Sequence, residues 1–354
     1  MLTIDKIYDA SNVLKAIARH TDMIQAPRLT NKCDLYLKTE NLQLTGSFKL
    51  RGAYYKISRL SEEEKKNGVI ACSAGNHAQG VALAATRNGI KSTICLPDCA
   101  PISKVEATRG YGAEICLVEG VYDDAYRKAL ALKEEKGYTF VHPFDDENVI
   151  AGQGTIGLEI LQEMDDIDAV IVPIGGGGLI SGVAFAIKSI RPSIKVYGVQ
   201  AAGAPSMYNS VKGGGIESLA SVSTIADGIA VKTPGENTFR MVNEYVDDIA
   251  VVTEDEICSY VVGRQINSGT AIEVTGYVLH VGNSQLAVSP KHHSALTGKG
   301  IIGVFKLLDV NERSYHILLM SIKALIVKRL FLLGLVGDVH CLFVQISKAV
   351  VYYV

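Results

Sequence analysis

The 354-residue chain contains no tryptophan, only 9 prolines and no excess of charge of either sign. Its 35 Lys and Arg stand against 37 Asp and Glu, a formal net charge of −2. A chain so nearly neutral offers neither a basic surface for nucleic acid nor a broad acidic one. Cysteine is sparse: Cys33, Cys72, Cys95, Cys99, Cys116, Cys258 and Cys341 lie scattered. That spread makes no disulfide framework, and the odd count suits a reducing compartment. Cys95 and Cys99 have a ligand-like spacing, but no second Cys/His pair answers them, so no zinc is expected. The opening Met1-Leu2-Thr3-Ile4-Asp5-Lys6 lacks the apolar run of a signal peptide. Lys328, Arg329 and Asp338 interrupt the most apolar tail stretch before it reaches the roughly 18 uncharged residues of a spanning helix. The expectation is a soluble, cytoplasmic protein with no membrane and no nucleic-acid partner.

What is present is apolar residue, 48% of the chain, and 34 glycines. This suffices for a large buried core and excludes disorder. From about residue 30 to 200, short apolar runs alternate with longer runs of helical period. The spacing predicts strands at 34–38, 68–72, 91–96, 114–118, 139–142, 169–173 and 195–200. It predicts helices at 77–88, 121–136 and 179–190, the first two stopped by Gly89 and Gly137, the third before Pro192. β-branched strands alternating with helices read as an α/β fold with parallel sheet covered on both faces. Past about residue 260 the composition shifts. Residues 1–259 hold 33 acids against 26 bases, and residues 260–354 hold 4 against 9. Five of the eight histidines (His280, His292, His293, His316 and His340) fall in this tail, where the strand–helix rhythm is lost.

Three segments could carry chemistry. In Thr45-Gly46-Ser47-Phe48-Lys49-Leu50-Arg51-Gly52-Ala53, Ser47 could cap a helix and so place Lys49 in its first turn. There the helix dipole disfavours an ammonium, and a neutral amine is what a Schiff-base lysine needs. Taken alone, the segment still reads as an ordinary solvated lysine beside Arg51 and Lys56. In Ser73-Ala74-Gly75-Asn76-His77-Ala78-Gln79-Gly80, a strand turns through small residues into a helix, presenting backbone amides at the carboxyl edge of a sheet. Asn76 and His77 either face that crevice, or Asn76 caps the helix and His77 lies on the surface. In Val172-Pro173-Ile174-Gly175-Gly176-Gly177-Gly178-Leu179-Ile180-Ser181, four glycines between a strand and a helix suit an anion nest. A dinucleotide fingerprint fails because Ile180 and Ser181 stand where its third glycine should, and the next strand ends in Gln200 rather than an acid. No Gly-Lys-Ser/Thr follows for a nucleoside-triphosphate loop. A phosphate cup is the reading that remains, against a merely flexible connection.

In this order and at this separation, the three segments resemble the pyridoxal-phosphate enzymes of the tryptophan-synthase-β class (fold type II), and within it the threonine ammonia-lyases, also called threonine/serine dehydratases. Ala226-Asp227-Gly228 and Val252-Thr253-Glu254-Asp255-Glu256 continue the likeness, which covers about residues 5–260. The resemblance implies a two-domain fold with pyridoxal 5′-phosphate in the cleft: a large discontinuous domain, residues 1–71 plus 149–260, and a small mobile one, residues 72–148. It implies that Lys49 is the catalytic lysine and bears the cofactor, with Phe48 against it, Asn76 at the pyridine hydroxyl and Gly175, Gly176, Gly177 and Gly178 around the phosphate. The loop of Ser73, Ala74, Gly75, Asn76 and His77 would close on the substrate carboxylate. The implied reaction is β-elimination of water from L-threonine, and L-serine, giving 2-oxobutanoate or pyruvate and ammonia, with the cofactor phosphate protonating the departing hydroxide. The family also implies a homo-oligomer.

Serine racemases of this class place a hydroxyl at the position of Ala74 to reprotonate the carbanion, and Ala74 has no proton to give. They bind a divalent cation through acids in the region of Gln200 to Ser206, whereas Gln200, Ala204 and Ser206 offer no carboxylate, so no metal is expected there. Two family segments, Glu-x-x-Gly-Ala and the Ser-Gly-Gly-Asn turn that meets the pyridine nitrogen, are missing after residue 260. The expectation is therefore that residues 261–354 form an atypical tail from a shifted reading frame or a rearrangement. A cofactor-binding but catalytically impaired homologue, or another member such as a serine racemase, are the alternatives to the lyase.

Overall fold

The structure, a computed structural model, describes residues 2–27, 30, 33–257 and the backbone of 277–280. Nearly all of the expected atypical tail, 261–354, lies outside the described residues. The described residues build two sheets. The first is four-stranded and wholly parallel: β3 (Val69–Cys72), β4 (Ser92–Pro97), β5 (Glu114–Val118) and β6 (Thr139–Phe140), in the order β5-β4-β3-β6. Its register sets Cys72 beside Cys95 and Cys95 beside Cys116 across three strands. Burial pushes the Cys72 and Cys95 thiols up to about 12, so these two stay protonated and inert. Cys99, at the other end of the ligand-like spacing, is exposed and apart from them.

The second sheet has six strands in the order β1-β2-β10-β7-β8-β9. Its members are β1 (Met23–Gln25), β2 (Asp34–Lys38), β7 (Ala169–Pro173), β8 (Lys195–Ala201), β9 (Asp248–Val252) and β10 (Tyr277–His280). Only β7, β8 and β9 run parallel; β10 pairs antiparallel with both β2 and β7, and β1 antiparallel with β2. The fully parallel pattern expected from the sequence therefore holds for one half of this sheet. The other half holds β2, which the spacing predicted as a strand, with β1, only three residues long, and β10, which falls where the composition had already changed.

The helices begin and end where local chemistry directs. Asp146 caps α7 (Glu147–Glu163), its Oδ1 accepting from Asn148 N and Val149 N at 2.8 and 3.1 Å. α6 (Tyr122–Lys136) ends at Gly137 in the left-handed region. α8 (Gly178–Ile190) is apolar on nearly all sides and buried to match, packed between β7 and the helices α7 and α10 (Glu236–Tyr245). Leu50, Ala53 and Ile57 of α2 (Lys49–Ser58) pack with Val81 and Ala85 of α4 (Asn76–Arg87) and with Val69 and Ile94 in one apolar core. Val170, Val172, Ile180, Val183, Val196 and Ile249 form another over the six-stranded sheet. Among the described residues no helix is long and apolar enough to cross a membrane.

α2 and α4 approach closely at Gly80. A Cβ built there would sit 3.0 Å from the carbonyl carbon of Lys49 and 3.1 Å from Leu50 N. Because both neighbours are backbone, one helix must move to admit a methyl group. Gly80→Ala is expected to cost about 1–3 kcal/mol, read as a lower urea midpoint at unchanged m-value. An unchanged midpoint would show that the two helices do not approach in this way.

Candidate active site

The three sequence segments come from three different elements, and two of them leave the carboxyl ends of parallel strands, where α/β folds gather ligand-binding loops. Lys49 is the first residue of α2, and Ser47 Oγ accepts from Lys49 N at 3.4 Å. The N-cap position is Phe48, with no side-chain capping bond, so Ser47, expected as the cap, lies one residue earlier and meets only Lys49 N. Lys49 Nζ donates to the carbonyl of Pro143 at 2.7 Å and lies 5.4 Å from the centre of the Phe48 ring. The side chain keeps a little solvent contact, yet protein surrounds its amine and no carboxylate among the described residues pairs with it. Burial lowers its pKa to about 8. Lys49 is thus a buried amine rather than a solvated lysine beside Arg51 and Lys56.

The 73–77 segment leaves β3 and enters α4. Ser73 Oγ accepts from Gly75 N at 3.1 Å, Gly75 is the N-cap position and Asn76 is the first helical residue. Ala74 rests partly buried against the α2–α4 core. His77 is neither on the surface nor turned to solvent: it is 3% exposed, with Nε2 2.9 Å from Val141 O. Burial, reinforced by the nearby Lys49 charge, lowers its pKa to about 3, so the ring is neutral and serves as a strut between α4 and the end of β6.

Gly175 to Gly178 link β7 to α8. Gly177 has φ +96°, a left-handed conformation that favours glycine. A Cβ at 176 would lie 2.4 Å from the Phe144 ring, at 177 2.7 Å from Met207 Cε, and at 178 2.8 Å from Phe144 Cβ. The loop therefore admits no side chains. Among the described residues no backbone acceptor meets the amides of Gly175, Gly176 or Gly177, the condition of an anion-binding turn at a helix N-terminus.

The sequence reading missed the segment that joins these parts. His142 Nδ1 accepts from Phe144 N at 3.3 Å and from Asp145 N at 2.7 Å, folding 142–145 into a turn. The turn aims Pro143 O at Lys49 and lays Phe144 on the glycine loop. Asp145 accepts from Glu236 N and Thr238 N at 3.1 and 3.0 Å, and Thr238 Oγ1 donates to Gly176 O at 2.6 Å. Thr238 had no signal of its own, standing 60 residues beyond the glycines in the sequence. The buried Gln200 donates to the carbonyls of Ile174 and Ala204 and accepts from Tyr208 N, so its amide supports the turn below the glycines. His20, Glu159 and Glu163 stand close enough to hold a cation. Lys38 and Arg51, however, already occupy the two carboxylates.

A desolvated amine and a cradle of bare amides suit an aldehyde that carries a phosphate, the chemical description of pyridoxal 5′-phosphate. The comparisons with known proteins agree. The sequence profile of the family described as pyridoxal-phosphate dependent enzyme matches residues 14–287. An L-threonine ammonia-lyase of Thermotoga maritima is 52% identical over 259 residues, a match covering 73% of this chain and 65% of that relative's length. Processed threonine deaminase isoform 2 of Solanum lycopersicum superposes with a TM-score of 0.72 at 40% identity, covering 77% of this chain and 81% of that one. Maize serine racemase superposes with a TM-score of 0.73 at 36% identity, covering 75% and 81%. The family match runs past the point where the composition changes and takes in β10. This chain belongs to the family of pyridoxal-phosphate dependent enzymes.

Proposed function

We propose that the chain deaminates L-threonine, and L-serine, by β-elimination of water, releasing 2-oxobutanoate or pyruvate with ammonia. The observation that carries this reading is the desolvated Lys49 amine, joined through Pro143 and Phe144 to a glycine loop with open amides. The names of the relatives at about half identity supply the substrate. Lys49 would hold the cofactor through Nζ, with Phe48 against it, Asn76 at the ring hydroxyl, and Gly175 to Gly178 at its phosphate. Bound there, the cofactor supplies a conjugated sink for the electrons left when the Cα–H bond of the substrate breaks. Lys49 Nζ would take and return that proton, since an amine whose pKa burial lowers to about 8 keeps a useful neutral fraction at neutral pH. The Ser73–His77 loop would receive the substrate carboxylate through backbone donors. Residues 72–148 would close as a unit over residues 1–71 and 149–260, excluding water from the elimination.

Ala74 weighs against the racemase alternative, since no ionisable group stands there to return a proton. The reading places the protein in the cytoplasm, where thiols such as the unpaired Cys72, Cys95 and Cys99 stay reduced, and as a homo-oligomer, which sedimentation would test.

The test is the visible spectrum of the purified chain with cofactor, before and after borohydride, followed by addition of L-threonine. A yellow band that borohydride fixes to the Lys49 peptide, with 2-oxobutanoate and ammonia formed from threonine, supports the lyase. A fixed band without turnover supports the impaired homologue, and racemised serine supports the racemase.

The lowered Lys49 pKa has a kinetic consequence. Only the neutral amine attacks an aldehyde, so the rate at which cofactor-free protein takes up pyridoxal 5′-phosphate is expected to rise with pH, half-maximal near 8. Stopped-flow absorbance would show it. A half-point near the ordinary lysine value of 10.5 would mean a solvated amine.

A further inference from the structure

We propose that Thr238 is a positioning residue for the phosphate loop, an inference that rests on the reading above. Thr238 is the third residue of α10 and is wholly buried. Its N–H donates to Asp145 Oδ1 at 3.0 Å, which fixes the backbone beneath it. Its Oγ1 accepts from Gly235 N at 3.1 Å and lies 2.6 Å from Gly176 O and 3.2 Å from Gly235 O. A hydroxyl has one proton to donate, and the shorter contact assigns it to Gly176 O. That bond ties α10 to the Gly176–Gly177 peptide.

The consequence follows from peptide geometry. In a trans peptide the C=O and the following N–H point in opposite directions. Holding Gly176 O toward α10 turns the Gly177 N–H away from α10. The packing agrees: a Cβ at 177 would meet Thr238 and Met207, whereas one at 176 or 178 would meet Phe144. Phe144 directly follows Pro143, the residue that receives the Lys49 amine, so this second side of the loop is the one that leads to Lys49. Gly177, at φ +96°, is free to rotate its peptide unless something holds it. Thr238 holds it with the donor outward, ready for a phosphate monoester, and does so without touching the ligand.

The test separates the phosphate end of the cleft from the lysine end by using two ligands. Pyridoxine 5′-phosphate has the phosphate but no aldehyde for Lys49, and pyridoxal has the aldehyde but no phosphate. Dissociation constants for both would be measured by fluorescence titration of the cofactor-free full chain, with a urea midpoint for each variant. Thr238→Val, which keeps the shape and deletes the hydroxyl, is expected to raise the constant for pyridoxine 5′-phosphate at least tenfold. Its constant for pyridoxal should stay within about twofold of the parent. Thr238→Ser, which keeps the donor, should restore parental affinity for both. If the valine variant does not fold, Thr238→Ala serves in its place, with an expected loss of at least fivefold confined to the phosphorylated ligand.

Three results would overturn the assignment. In one, valine or alanine binds pyridoxine 5′-phosphate as the parent does. In another, both ligands weaken equally, as general loosening of the cleft would cause. In the third, serine is as weak as valine, making the methyl group the part that matters. A parent chain that binds neither ligand overturns the functional reading itself, and the role of Thr238 with it.

Discussion

Lys49→Ala is expected to lower the rate of 2-oxobutanoate formation from L-threonine by at least about a thousandfold, with the urea midpoint of the chain nearly unchanged. General-base assistance alone contributes about 10²–10⁴-fold, and this variant also loses the amine that holds the cofactor. Folding should scarcely respond. The hydrogen bond from Nζ to Pro143 O has a net worth of about 0.5–1.5 kcal/mol. Set against it is the cost of keeping an ammonium where burial lowers its pKa to about 8. Lys49→Arg should not rescue turnover, since a guanidinium does not lose its proton in the working range. Turnover above about a hundredth of the parent rate in Lys49→Ala would remove Lys49 from the role of base.

Arg51→Met, two residues along the same helix, is expected to do the reverse: to cost about 3–5 kcal/mol of stability, a large share of the ~5–15 kcal/mol that holds most domains folded. Arg51 is 1% exposed and Glu40 is fully buried. Its Nε and Nη2 donate to the two oxygens of Glu40 at 2.8 and 2.7 Å. Nη1 and Nη2 donate to the two oxygens of Glu159, and Nη1 reaches Thr155 Oγ1 at 3.2 Å. Lys38 closes the network on Glu159 and Glu163. Burial alone would lower the Arg51 pKa, but the two carboxylates more than reverse that and keep it charged. Removing it leaves Glu40 desolvated and unpaired. Arg51→Lys should recover little, because one ammonium cannot reproduce two forked contacts. In Arg51→Met/Glu40→Gln the loss should be smaller than in Arg51→Met, since the stranded charge goes too. A single Arg51→Met variant with a parental urea midpoint would refute the network.

The same cluster sets an acid limit. Burial would raise the Glu159 pKa, yet Arg51 and Lys38 hold it below the ordinary 4.5. A depressed carboxylate contributes stability that is present above its unfolded pKa and lost as the pH falls through the folded one. Urea midpoints of the parent are therefore expected to fall as the pH drops below about 4.5, and Arg51→Met should show less of that fall.

Lys49 and Arg51 show where sequence reading succeeds and where it stops. Ser47, Phe48 and Lys49 could be placed at a helix start because capping and dipole effects are local, and there α2 begins. The glycines 175–178 could be read as an anion cradle because a strand–glycine–helix passage is contained within ten residues. Arg51 read only as a neighbouring charge, for its partners Glu40 and Glu159 lie 11 and 108 residues away. His77 read as a crevice or surface residue. Its burial depends on Val141, which reaches it only because β6 lies beside β3.

By itself, then, the order of small residues, β-branched runs and helix stops determined the α/β class, the parallel strands, and the two loops and one lysine on which the resemblance rests. These follow from interactions within a few turns of chain. Only the tertiary structure decided that His142 folds the turn that aims Pro143 at Lys49, that Asp145 and Thr238 tie α10 to the glycine loop, and that β10 enters antiparallel between β2 and β7. Each joins residues some 60 to more than 200 positions apart, save the His142 turn, whose local bonds gain meaning from Lys49 on a distant helix. Such contacts carry no periodicity, because loop closure brings them together only after the helices and strands have packed.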